Sequence, residues 1–168
     1  AEQATREELR YFLLQEMGTE AGFDDLISLT QVKTPPSVKL ELARNYWDEM
    51  GGGELEDIHS ELLSRLVGSF QLSWEDHYED VHWAPLALSN LMVAFAMKRA
   101  YFSQSIGALG VIELTAPGRC HRVMEGMKRV KLREDDYKYY ALHSLLDLEH
   151  WAGWKMNVMY PLIREYPE

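Results

Sequence analysis

The sequence predicts an all-α protein built as a helical bundle, and three observations carry that expectation. Apolar residues recur at the helical period along nearly the whole chain, no strand-like alternation persists, and proline and glycine clusters fall between the periodic stretches. At 168 residues the chain is long enough to bury a core but not to fill two domains, so residues 1–168 form a single expected domain.

The elements follow in order. A first helix is expected over residues 5–29, and Pro35-Pro36 marks the break before the next, with Thr34 as its cap. The second, over 36–50, stops at Gly51-Gly52-Gly53, where positive φ costs little. A third is expected over 54–70, and the stretch SWEDHYEDVHWAP, 73–85, reads as a polar and aromatic connection. A long helix over 85–116 should end before Pro117-Gly118, a shorter one covers 119–129, and a last one runs over 134–163, closed by Pro161 and Pro167. Five or six helices with short links make a bundle.

Composition narrows the function. The chain has 17 Lys plus Arg against 27 Asp plus Glu, a net charge of −10, which repels phosphate backbones and anionic lipid, so neither nucleic acid nor a membrane is an expected partner. The longest apolar run, LALSNLMVAFAM over 86–97, is interrupted by Ser89 and Asn90 and stopped by Lys98, short of the roughly 18 residues a spanning helix needs. One cysteine, Cys120, cannot make an internal disulfide, and the expected compartment is the cytoplasm.

The strongest chemical signal is HSLLDLEH. His143, Asp147 and His150 are spaced i, i+4, i+7, so they fall in one narrow stripe of a helix. Tyr139, Tyr140 and Trp154 project to the same side and Lys138, Glu149 and Lys155 to the other, so the stripe faces inward. Two imidazoles and a carboxylate on a buried face suit a transition metal better than they suit packing. Glu113 is the second signal. It is the only charged residue between Arg99 and Arg119, among small and apolar neighbours, and a buried lone carboxylate needs a cation or a proton.

Glu49 and His59 flank the three glycines. On one continuous helix they would stand roughly 80° and about 15 Å apart, but a turn at the glycines lets both approach a common centre from different backbones. On the first helix, Glu16 and Glu20 share a face, and Phe12, Phe23 and Ile27 favour Glu20 as the inward carboxylate. The candidates are then Glu20, Glu49, His59, Glu113, His143, Asp147 and His150: four carboxylates and three imidazoles, about the number for two ions. A ferritin-like site is disfavoured because no inward Glu-x-x-His pair occurs; Glu56 and His59 have the spacing, but Glu56 lies in an acidic, exposed segment.

The order of these residues resembles the haem-oxygenase-like diiron oxidases, the iron-containing redox enzyme family: a Glu on helix one, Glu49-x9-His59 around a glycine turn, and Glu113 thirty residues before His143-x3-Asp147-x2-His150. The resemblance covers nearly the whole chain. It implies a haem-oxygenase-like up-and-down bundle of about six to seven helices with a central dimetal site. Glu49, His59, Glu113, His143, Asp147 and His150 would bind iron, with Glu20 or Glu16 as the remaining carboxylate. It further implies two Fe(II) per chain and a non-haem diiron oxidase or oxygenase that activates dioxygen to oxidise a small amine, amino acid or fatty acid; three imidazoles with several carboxylates also suit manganese, the alternative metal. The chain is short for the family, so peripheral helices around the pocket are expected to be reduced.

Other chemistry on this scaffold is set aside on residues. A haem oxygenase needs an axial histidine on its first helix, and no histidine precedes His59. A thiaminase-like enzyme needs a pocket cysteine, and Cys120 sits in the basic segment GRCHR. A metal-free helical binding module is the reading from a different class. Ser103, Gly107, Ala108 and Gly110, with Met97 and Tyr101, are the expected cavity wall, and Tyr139, Tyr140 and Trp154 either orient ligands or pack the core. No stretch marks an interface, and a homodimer is left open.

Overall fold

The computed structural model describes residues 2–20 and 22–165, Glu20 by its backbone alone, and among the described residues every regular element is helical. The first expected helix is two: α1 (Arg6–Glu20) and α2 (Phe23–Thr30). They part at Gly22, whose φ of 85° lies in the left-handed region that a continuing helix cannot hold. Pro36 opens α3 (Pro36–Glu49), where a proline's missing N–H is no loss.

The glycines Gly51, Gly52 and Gly53 all have positive φ and make a short 3₁₀ turn, and a second such turn follows at Leu55–Asp57. α4 (His59–Ser69) therefore starts five residues later than expected, because Glu54 and Ile58 are extended. The segment read as a connection contains α5 (Trp74–Asp80). Ser73 accepts from the Asp76 N–H while the Asp76 carboxylate accepts from Ser73 N–H, a reciprocal cap that starts a helix in seven polar and aromatic residues.

The long central helix is also divided, at a different place. α6 (Trp83–Met97) ends where Lys98 turns extended, and α7 (Phe102–Arg129) then runs 28 residues straight through Pro117. The buried face that carries Glu113, Ala116, Cys120 and Met124 is continuous across the proline, and its packing outweighs the lost backbone bond. α8 (Glu134–Gly153) returns antiparallel along α7, loosens to a π-helical stretch at Trp154–Met159 and re-tightens as α9 (Tyr160–Glu165).

The apolar interior has two lobes. One gathers Leu13, Met17, Leu62, Leu66, Met127 and Tyr140; the other gathers Ile27, Val38, Leu42, Leu109, Trp154 and Val158. Along α7 and α8 the polar residues Glu113, His143, Asp147 and His150 fall between the two, so a buried polar layer separates them. No helix among the described residues is long and apolar enough to cross a membrane.

Candidate metal centre

That layer is built from four helices. Glu49 is the last residue of α3 and His59 the first of α4, so the glycine turn delivers both helix ends to one place. Gly51 is indispensable there: a Cβ on it would stand 2.5 Å from the Asp57 carbonyl carbon. His59 Nδ1 lies 2.7 Å from Glu49 Oε2, and the His59 and His143 rings are 4.5 Å apart. Glu49, His59 and His143 each bring one donor atom within 4.8 Å of the others.

One and two turns further along α8, Asp147 and His150 form a second trio with Glu113 of α7, their donor atoms again within 4.8 Å of one another. His150 Nδ1 is 3.4 Å from both Glu113 Oε2 and Asp147 Oδ1. At 1.5 Å of rise per residue, the single stripe on α8 serves two neighbouring centres, His143 for one and Asp147 with His150 for the other. All six side chains are buried.

The electrostatics are those of a site holding too little positive charge. Burial pushes the Glu49 carboxyl up to about 8, helped by Glu113 and Asp147 against the opposing pull of His143 and His150. Burial drives the His59 imidazole down to about 4. Burial also opposes charge on His150, but Asp147 and Glu113 outweigh it and hold that ring protonated up to about 11. A proton on His150 thus stands where a cation would relieve the same carboxylates.

Two observations fit these residues to a metal. His59 Nδ1 and His150 Nδ1 are buried without a hydrogen bond, although carboxylate oxygens stand within 2.7 to 3.4 Å, because the approach misses the N–H direction. A buried nitrogen left so costs about 1–3 kcal/mol, which a bound cation removes. The remaining nitrogens are engaged as metal-binding imidazoles require. His143 Nδ1–H donates to the Tyr139 carbonyl at 2.8 Å, leaving Nε2 as the lone pair, and His150 Nε2–H donates to Asp48 at 3.1 Å, leaving Nδ1 as the nitrogen a cation would take once its proton is displaced. Asn45 Nδ2 donates to Glu113 Oε1 at 2.7 Å and fixes that carboxylate.

A model of the iron-containing redox enzyme family matches residues 10–168 of the chain. The chain belongs to that family. No curated protein matches it. Membership in the iron-containing redox enzymes establishes the all-α, haem-oxygenase-like bundle and a redox activity, and the two buried trios fit iron binding.

Six of the seven candidate ligands converge in this member of the family, while the side chain of the seventh, Glu20, lies outside the described residues. Its alternative, Glu16, is paired with Arg119 beside the cavity rather than joined to either trio. The cavity, about 460 Å³, adjoins the layer and is walled by Phe23, Met92, Ala108, Val111, Ile112 and Ala116. Of the expected wall only Ala108 is present. Met97 and Tyr101 are on the surface, and Gly110 turns the other way, against Trp154, whose Nε1 a Cβ would meet at 2.7 Å. Trp154 donates to the Ile106 carbonyl, Tyr140 lies in the core, and the ring of Tyr139 stands 4.3 Å from that of the candidate ligand His143.

Asn45 and Asp48 were missed. Asn45 stands four residues before Glu49 on the same stripe of α3, a signal the sequence did carry, whereas nothing in the spacing singles out Asp48.

Proposed function

We propose that this chain is a non-haem diiron oxidase or oxygenase, with Glu49, His59 and His143 holding one Fe(II) and Glu113, Asp147 and His150 the other. The observation that carries the reading is the pair of complete, buried trios side by side on α8. Iron held there would supply electrons to dioxygen, and the small organic substrate oxidised in the adjoining cavity would give up electrons in turn. The protein's own part is to bind, orient and keep dry. Asp48 and the Tyr139 carbonyl set which nitrogen His150 and His143 present, Asn45 holds Glu113, and the apolar wall excludes water from the layer. Three imidazoles among carboxylates suit iron or manganese better than a thiolate-seeking metal. The substrate class we propose is a small amine, amino acid or fatty acid.

A metal-free binding module does not explain why the Nδ1 atoms of His59 and His150 are buried without a hydrogen bond, and a thiaminase-like activity lacks its nucleophile, since Cys120 is 1% exposed in the apolar core. Anaerobic titration with Fe(II), read by bound iron per chain, is expected to reach two. His59→Ala and His150→Ala are each expected to reduce it to one with the helical circular dichroism kept. Oxygen uptake with the loaded protein should then follow the iron content. A chain that binds less than one iron would sink the proposal.

A further inference from the structure

Apart from the two trios and their imidazoles, the charged side chains on the cavity wall among the described residues are Glu16, Asp24 and Arg119, and Arg119 is the one cation. At 100° per residue Ala108, Ile112, Thr115 and Arg119 of α7 fall within about 60° of one another, so the guanidinium continues the face that meets the void. The other cations of that helix after Pro117, Arg122, Lys128 and Arg129, are exposed. Glu16 of α1 pairs with Arg119 and lines the same cavity, the two side chains keeping 19% and 28% of their exposure. A pair drawn that far out of water gains little stability, because desolvation offsets the attraction. What the pairing does is hold a planar fork in the wall, and a guanidinium has five N–H donors, more than one carboxylate uses.

We infer that Arg119 is the residue that sets substrate specificity, anchoring a carboxylic acid of apolar body by its carboxylate. Charge-assisted bonds from a guanidinium to a carboxylate are roughly twice as strong as neutral ones, and Phe23, Met92, Val111 and Ile112 offer the rest of the molecule an apolar wall. Asp24, the other acidic group, lies in the first turn of α2, where the helix N–H groups offset its charge and so its repulsion of an acid. Arg119 follows Glu113 by six residues, about 9 Å along the axis of α7 and about 120° around it. An acid held there therefore turns its other end toward the trios. That this acid is the molecule oxidised rests on the diiron reading; that Arg119 binds it does not, because binding is measured on the metal-free chain.

Calorimetric titration of the metal-free full chain with octanoate is expected to show saturable binding, and octanamide, of the same shape without the charge, to bind about tenfold or more weakly. Arg119→Gln should weaken octanoate by about tenfold or more and leave octanamide within about twofold of the parent chain, with the helical circular dichroism kept. Arg119→Lys, which keeps the charge but not the fork, should recover part of the loss. Octanoate binding no tighter than octanamide to the parent chain would overturn the proposal whatever the variants do. So would an equal loss for both ligands in Arg119→Gln, the mark of a merely structural pair, or tighter binding of octylamine than of octanoate, which would assign the wall to an amine at Asp24. Octanoate binding that requires Mn(II) would put the carboxylate on the metal, overturning the role of Arg119 while leaving the diiron reading intact. Octanoate binding as expected in a chain that takes up less than one iron would do the reverse.

Discussion

Asp48 shows how a side chain one-third exposed can govern a buried one. Among the described residues its hydrogen bond into the layer goes to His150 Nε2 and points Nδ1 at Glu113 and Asp147, while its charge also reaches His59. Asp48→Asn is therefore expected to weaken metal binding at that trio by about 10–100-fold and to affect the Glu49 trio less, through the lost charge near His59, which a two-phase Mn(II) titration would resolve. Protonation acts on the same atoms. In the metal-free protein Glu49, raised from 4.5 to about 8, and His150, raised from 6.5 to about 11, bind protons more tightly folded than unfolded. The stability they contribute is complete below 4.5 and 6.5 respectively, and is lost as pH climbs toward those folded values. His59, lowered to about 4, works the other way, its share being lost as pH falls from 6.5 toward that value. The metal-free Tm is thus expected to fall between about pH 6.5 and about pH 8.5 while metal affinity rises over the same span, because binding must expel those protons. Calorimetric titration in buffers of different ionisation enthalpy would count them, and binding without proton release would contradict the assignment.

At the level of elements, the glycine turn between α3 and α4 is the decisive local device. Gly51 and Gly52 have the same φ of 64°, but only Gly51 faces backbone, that of Asp57 and Ile58. Gly52→Ala should cost about 1–2 kcal/mol for the left-handed conformation alone. Gly51→Ala adds a clash with main chain, so it is expected to cost more, about 2–4 kcal/mol, and to reduce bound iron from two to one by parting Glu49 from His59. Equal effects of the two substitutions, in denaturant unfolding and iron stoichiometry, would count against this role for the turn. Such a site was legible in the sequence because it rests on periodicity: His143, Asp147 and His150 declare their face, and the glycines announce a reversal between Glu49 and His59. Ser73-x-x-Asp76 also signals a helix start, yet the seven residues after it lack the apolar period that would have revealed α5. Pro117 misled in the opposite direction, because tertiary packing of α7 against α8 overrides a local breaker. The cavity wall was not legible at all. Which side of α7 meets the void depends on where α6 ends, and that is settled by Lys98 turning extended rather than by any proline or glycine.

For the whole molecule, the arrangement of two apolar lobes around one polar layer means that the hydrophobic effect does not by itself join its halves. The layer replaces apolar contact with buried carboxyl and imidazole groups, which favour proximity far less than packed side chains do. Metal binding should supply the missing cohesion. Hydrogen exchange at the middle of α7 and α8 is expected to slow by at least tenfold on Mn(II) loading, with smaller changes at Leu13 or Val158, deep in either lobe. Uniform slowing throughout would mean the lobes already unfold as one. Starved of its ions, the protein would be a pair of oily halves with a wet crevice between them, open first at the strand of 3₁₀ turns after Met50 and there most exposed to a protease. The cell would then clear empty molecules faster than filled ones, so that abundance itself would report how much iron is on hand.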